Sequence, residues 1–236
     1  MTMKSLKLIG VLTAGLISLG AVADDGLLFH ADFNDTLKAV KATGADTMTS
    51  FGGAVAADRF VPGREGKGLL IGPKDGKDKF YATIPAAKNI DAAQGSISFW
   101  VKPLDWTGKS KDFNMFVTGN QAGGNNFYVY KYSGQNMGFC AINNKKSQLK
   151  VFNPWKWKAN EWHHMVYVWD KDSEKLYVDG NEEVTSKRNL STNAITFLQV
   201  GTRGWGVEKG MTVIDELKIY NRPMTEEEIN KEFARF

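Results

Sequence analysis

A chain of 236 residues that is 42% hydrophobic and 12% aromatic carries enough apolar material for a sizeable core, at a length that suits one β-sandwich. Its 30 basic and 26 acidic residues leave +4, and +2 (28 minus 26) without Lys4 and Lys7, so the strong basic footprint of a nucleic-acid binder is absent and no nucleic-acid partner is expected. Cys140 is the only cysteine, which excludes an intramolecular disulfide; in the strand-like run Met137–Ile142 it reads as a small core residue.

Residues 1–23 read as a secretory signal peptide. Lys4 and Lys7 precede an apolar run from Leu8 to Val22, and Ala21-Val22-Ala23 is an A-x-A cleavage signal. The run is short for a membrane span and is interrupted by Thr13, Gly15, Ser18 and Gly20. The expectation is an exported chain, secreted or periplasmic, with no membrane span after cleavage and a single domain over 24–236.

Short alternating runs between polar, glycine-rich turns then follow, as an all-β protein requires. Strands are expected at Leu27–Phe33, Leu69–Ile71, Phe80–Ile84 and Gly95–Pro103. In the last of these Ile97, Phe99 and Val101 share one face, and Ser98, Trp100 and Lys102 the other, the period of a half-buried strand. Phe113–Thr118, Asn126–Tyr132, Gly138–Asn143 and Gln148–Phe152 read as a meander, with turns at Gly123-Gly124, Ser133-Gly134 and Asn143-Asn144. Trp162–Asp170 and Leu176–Val178 form a hairpin, the second strand running into an Asp179-Gly180 turn, and Thr196–Gly201 and Thr212–Tyr220 complete the sheets. The one helix starts at Thr225: Glu228 three residues on makes a capping box, and Met224 and Ile229 flank it as a hydrophobic staple. Glu226, Glu227 and Glu228 suit the positive end of the helix dipole and read as a helix start, not a catalytic cluster.

Four of these segments in order, Gly95–Pro103, Glu161–Asp170, Lys175–Asn181 and Val213–Pro223, resemble the LamG-like jelly-roll family, relatives of the concanavalin A-like lectins and glucanases. The resemblance covers about residues 26–236. It implies an all-β fold, a two-sheet antiparallel jelly-roll sandwich with a short C-terminal helix. It says much less about function, because this fold hosts lectins, adhesion modules, enzymes and structural domains.

The jelly-roll glucanases carry a Glu-x-Asp-x-(x)-Glu strand motif, and no stretch here matches it. Asp215 and Glu216 are adjacent, so on a regular strand they point to opposite faces and cannot form an acid/base pair across one cleft. His163 and His164 likewise diverge and read as structural, with His164 in the phase of Val166 and Val168 and taken as inner. The chain therefore reads as non-catalytic.

Asp215 shares a phase with Val213, Leu217 and Ile219, which places a carboxylate on the expected inner face. The resemblance implies a structural calcium ion at a sandwich rim, for which Asp32 and Asn34, at the end of the first strand, and Asp215 are the candidate oxygen ligands; the alternative is an Asp215 bonded to backbone amides. Trp106, Trp155, Trp157 and Trp205 fall in expected loops, and Arg203 stands beside the last of them. Flat rings beside polar donors suit sugar rings or a protein hot spot, so Trp106, Trp155, Trp157, Arg203 and Trp205 are the candidate ligand-binding residues; the bland alternative for each ring is that it covers a sheet edge. The functional expectation is an exported binding or adhesion module whose partner is a glycan or a surface protein. The alternatives are a structural subunit of a surface assembly, or a diverged enzyme using Glu161, Asp179 or Glu216.

Overall fold

The computed structural model describes residues 26–51, 53–73, 80–111, 113–132, 135–201 and 210–236. The expected signal peptide lies outside them, as do Arg203, Trp205 and the Ser133-Gly134 turn. Among the described residues no helix is long and apolar enough to cross a membrane.

Among the described residues there are sixteen strands: β1 (Leu27–Ala31), β2 (Lys41–Ala42), β3 (Thr49–Ser50), β4 (Phe60–Pro62), β5 (Lys67–Ile71), β6 (Tyr81–Ile84), β7 (Gly95–Pro103), β8 (Asn114–Gln121), β9 (Asn125–Tyr132), β10 (Asn136–Asn143), β11 (Lys146–Phe152), β12 (His163–Trp169), β13 (Ser173–Val178), β14 (Asn181–Lys187), β15 (Ile195–Gly201) and β16 (Thr212–Tyr220). One α-helix among the same residues, α1, spans Glu226–Ala234. One sheet runs β14-β13-β12-β7-β16-β1-β2, with β5 also on β16 and β4 on β5; the other runs β11-β10-β9-β8-β15-β6-β3. Every pairing is antiparallel, so the chain is the two-sheet sandwich its pattern implied, closed by one short helix.

The core between the sheets takes Ile97, Phe99 and Val101 from β7, Met165, Tyr167 and Trp169 from β12, and Phe127, Val129, Phe139 and Ala141 from β9 and β10. β7 is buried on both faces rather than one. The reason is α1, which lies over the outer face of the nine-stranded sheet. Met224 and Ile229 form a second apolar cluster there with Leu27, Val166, Val168, Tyr177 and Tyr220. Phe233 and Phe236 pack on Trp100, and Glu232 pairs with Lys218. Val166, Val168 and His164 thus belong beneath the helix, not in the inter-sheet core where their phase had put them. His164 is bonded there to Ser98 at 2.8 Å.

The phase of β16 also changes midway. Asp215 pairs with Trp100 and Lys218 with Ser98, so Glu216 and Leu217 together face a single residue, a β-bulge with Glu216 at φ 48°. Before the bulge Ile214 joins the core; after it Leu217 and Ile219 do. Asp215 therefore faces out with Trp100, which corrects its placement on the inner face.

The helix start is as expected. The Thr225 hydroxyl accepts from Glu228 N at 3.2 Å, and the Glu228 carboxylate accepts from Thr225 N at 2.8 Å. Arg222 forks onto Glu228, and this pair, first, with the cap holds the Glu228 carboxyl down at about 2.

Candidate ligand groove at the turn between β11 and β12

The candidate site grows from the Asn153–Asn160 connection. Pro154 is buried, and its carbonyl accepts from Trp157 N at 2.9 Å, closing a tight turn with Trp155 and Lys156 at its tip. Gly108 N donates to Trp157 O at 3.0 Å, and any Cβ at Gly108 would collide with the Pro154 carbonyl, so only glycine lets the two loops meet.

Trp157 turns inward and is 5% exposed. Its ring lies flat on His163 at 3.8 Å between centroids and 8° between planes, and it also meets Trp106 at 6.2 Å and 22°. Trp106, 1% exposed, stacks on Phe116 and donates Nε1–H to Thr212 Oγ1 at 2.9 Å. A column Phe116–Trp106–Trp157–His163 thus runs from the core to the floor of a groove. Trp106 and Trp157 had been taken as loop rings available to a ligand. Their faces are covered, because an indole beside a sandwich end gains more by filling the core than by facing water. Trp155 alone of the three keeps its ring out, 57% exposed.

The opposite wall is the β13–β14 hairpin. Its two-residue turn, Asp179-Gly180, has φ 50° and 81°, a combination that favours an Asp-Gly pair. Asp179 turns its carboxylate back to β12: Oδ2 meets His163 Nδ1 at 2.7 Å, and Oδ1 accepts from His164 N at 2.8 Å. Asn181 Nδ2 donates to Asp179 O at 3.0 Å. The groove between these walls has a volume of about 530 Å³, within the ordinary range for a small-molecule site. Trp155, Asn153 and Lys156 stand on one side and Asn181 and Glu183 on the other, all exposed, over a floor of Val178, Trp157, His163 and Asp179. With one lysine and one free-standing glutamate across the opening, it presents mixed polarity and a flat apolar ring. Asn181, Glu183 and the His163–Asp179 pair were not expected here, whereas Asn153 and Lys156 are the polar donors expected beside the rings. The signals were the Asp-Gly turn and the alternation that puts Asn181 and Glu183 on one face of β14.

The three carboxylates weighed for catalysis do not converge. Glu161 pairs with Lys158 at 3.0 Å, Glu216 lies under α1 with His30 at 3.0 Å, and Asp179 has both oxygens engaged by histidines.

The proposed calcium ligands are placed differently again. Asp215 is fully buried, and its Oδ2 accepts from Arg64 N at 2.6 Å and Glu65 N at 3.2 Å, its Oδ1 from Glu216 N at 2.8 Å. Burial raises its carboxyl to about 7, against these amide bonds that lower it. Asn34 Oδ1 accepts from Lys67 N at 2.8 Å, while Asp32 bonds Asn34 itself at N (3.2 Å) and Nδ2 (2.9 Å). Asn34 and Asp215 thus hold the two ends of one β4–β5 turn. Calcium needs six to eight oxygen ligands, and the groups turned toward Asp215 are N–H donors. The residues do not fit that ion in this arrangement, and among the described residues no three His, Cys, Asp or Glu side chains gather as metal ligands.

Residues 75–230 match the Laminin_G_3 family of the concanavalin A-like lectin/glucanases superfamily, and the chain belongs to that family. Similar solved structures include the binding domain of botulinum neurotoxin serotype D (TM-score 0.67, 15% identity over 89% of this chain and 52% of that one). The binding domain of Paraclostridial Mosquitocidal Protein 1 is alike at 0.66 and 15%, with the same coverage. The chain spans about half the length of these two. Domain 4 of AbnA, an extracellular GH43 arabinanase of Geobacillus stearothermophilus solved with arabinotriose, is covered in full by 89% of this chain at 20% identity and TM-score 0.66. At such identities the likeness shows the fold. No curated protein sequence matches the chain.

Proposed function

We propose that this protein is an exported, non-catalytic carbohydrate-binding module whose site is the groove beneath Trp155. The observation that carries the reading is the exposed indole of Trp155 above a groove whose floor holds the buried Trp157 and whose rims are polar. A sugar presents a flat C–H face and a rim of hydroxyls. The indole face takes the first; Asn153, Lys156, Asn181 and Glu183 offer both donors and acceptors to the second. The opposed charges of Lys156 and Glu183 favour a neutral glycan over a strongly acidic one. A sandwich of similar architecture in an arabinanase, solved with arabinotriose, supports the same class of ligand. Export is supported by the N-terminal signal pattern.

The test is a panel of neutral oligosaccharides titrated into the protein by calorimetry. Trp155→Ala should weaken binding by about 1–3 kcal/mol, the usual cost of a hot-spot ring, with an unchanged melting curve. Equal binding by wild type and Trp155→Ala would move the site elsewhere; no binding to any glycan would sink the reading.

A protein partner is the second reading, favoured by the outer face of the seven-stranded sheet. Thr49, Thr83, Gln199, Thr118, Tyr128, Cys140 and Leu149 pair in one row across all seven strands without a charge. Leu149 at the end of the row is exposed, as is Tyr132 on β9. Pull-down by this face, lost on Tyr132→Asp, with no glycan binding, would favour this reading.

A further inference from the structure

The outer face of the seven-stranded sheet holds more than the one uncharged row from Thr49 to Leu149. The row on one side of it is Phe197, Asn120, Asn126, Ile142 and Ser147. On the other side stand Tyr81 and Gly201 and, beyond the bulge in β8, Met115, Tyr130, Gly138 and Val151. None of these residues is charged, in a chain of which 24% is charged. Apolar side chains gather there as well. Three of the six exposed large hydrophobic residues among the described ones, Phe51, Tyr132 and Leu149, lie on this face or at its margin. Phe51 packs on Tyr81 at 5.1 Å, and Tyr132 meets Tyr130 edge-on at 6.2 Å. An uncharged, partly apolar face of this breadth marks a protein contact. Other surfaces suit one less well. α1 lies over the outer face of the nine-stranded sheet, and the edge strands carry Lys146 and Lys150 on β11 and Glu182, Glu183 and Lys187 on β14, charges that oppose strand addition.

We infer that the occupant of this face is a second copy of the chain, packed sheet to sheet about a two-fold axis. The inference rests on the second reading above, whose partner it names, and leaves the glycan groove as described. In such an isologous contact, residues near the axis meet their own counterparts, so any charge there would face its like. A face without charges meets that condition. Two copies of a chain with net positive charge repel elsewhere, and can close on each other where neither presents a charge. A foreign partner is usually selected by complementary charge, and these rows offer none. The size also fits. Seven strands about 4.8 Å apart span roughly 30 Å, and three rows about 7 Å apart cover roughly 20 Å. Two such faces together bury roughly 1,200 Å², the lower end of stable interfaces, so the dimer is a reversible one.

Sedimentation equilibrium of the full chain across a dilution series tests this. The expected result is a monomer–dimer equilibrium that added salt does not weaken, since the contact makes no ion pair. Tyr132→Asp and Leu149→Asp should each raise the dissociation constant about tenfold or more, by setting a charge in the contact. Both side chains are exposed, so the variants should keep the wild-type melting curve at a dilution where the wild type is monomeric. Radical footprinting should show Phe51, Tyr132 and Leu149 losing reactivity as the dimer forms. A monomer at every concentration overturns the proposal; capture of a foreign protein by the wild type and not by Tyr132→Asp would then leave the second reading standing with another partner. A dimer that both Asp variants keep, or that footprinting places at the Trp155 groove, overturns it too. Glycan titration reads the groove alone, so the two tests fail separately.

Discussion

Trp155 and Trp157 are two residues apart in one turn and have opposite fates, which separates binding from stability. Trp157→Ala removes a buried ring stacked on two neighbours and should cost about 3–5 kcal/mol, the range for emptying a buried aromatic site. Trp155→Ala removes an exposed ring and should change stability by within about 0.5 kcal/mol. Urea unfolding of the two variants checks the contrast. Both residues were legible as candidates, since Asn153-Pro-Trp-Lys-Trp157 marks a turn rich in aromatics. Which ring turns in was not legible, because it depends on Trp106 and His163 arriving from distant strands. His164 carries a second test at this scale. Burial beneath α1, first, lowers its pKa from 6.5 to about 4, so the neutral ring is the folded form. Between those values the unfolded chain binds the proton and the folded one does not, so stability falls as pH drops from about 6.5 to 4. The loss attributable to this residue is roughly 3 kcal/mol at 1.4 kcal/mol per unit. In His164→Gln the stability difference between pH 7 and pH 4.5 should shrink; an unchanged difference would mean the ring titrates normally.

Among the elements, α1 was readable to its first residue, because capping is a local matter: Thr225, Glu228, Met224 and Ile229 lie within six positions and meet by helix geometry alone. Thr225→Ala should lower stability by about 1 kcal/mol and raise hydrogen exchange first in residues 226–234. The carboxyl of Glu228 is lowered, so its contribution is whole above about pH 4.5 and is lost as pH falls toward 2. Exchange in α1 should rise across that window in wild type and not in Glu228→Gln, whose helix starts from a weaker cap at every pH. What the helix covers was not readable. Alternation in β7 suggests one wet face, and only the docked helix, from the far end of the chain, makes Ser98 and Trp100 buried. The bulge at Glu216 was equally hidden. A strict period of two carries Asp215 and Leu217 to the same side, whereas the structure sends them to opposite sides through one residue at positive φ. Strand runs therefore predict existence well, and predict phase only as far as the next irregularity. The short β2, β3 and β4 and the charged edge strand β14 gave no alternating signal strong enough to be seen.

At the scale of the whole molecule, sheet order and helix position hold the β4–β5 turn and α1 together on the outer face of one sheet. Asp215 grips that turn through Arg64 N and Glu65 N, Arg64 reaches on to the Phe236 carbonyl and lies over Trp100, and Glu65 meets Arg235 at 3.1 Å. The same carboxylate that the family resemblance offered as a cation ligand is thus used as an internal clasp, with amide hydrogens in the positions where a cation would need oxygens. A ligand that binds only the folded state raises the melting temperature by mass action, so calcium is a direct probe of this difference. Melting curves in millimolar calcium and in EDTA should coincide. A calcium-dependent rise that survives in wild type and vanishes in Asp215→Asn would show that the turn rearranges to present oxygens, and would restore Asp32, Asn34 and Asp215 as ligands. Asp215→Asn itself should act on the turn: it keeps one acceptor and sets an N–H₂ group against an amide hydrogen. The expected result is faster exchange at Arg64, Glu65 and the end of α1, with the opposite, groove-bearing end unchanged in its affinity for whatever glycan Trp155 recognises.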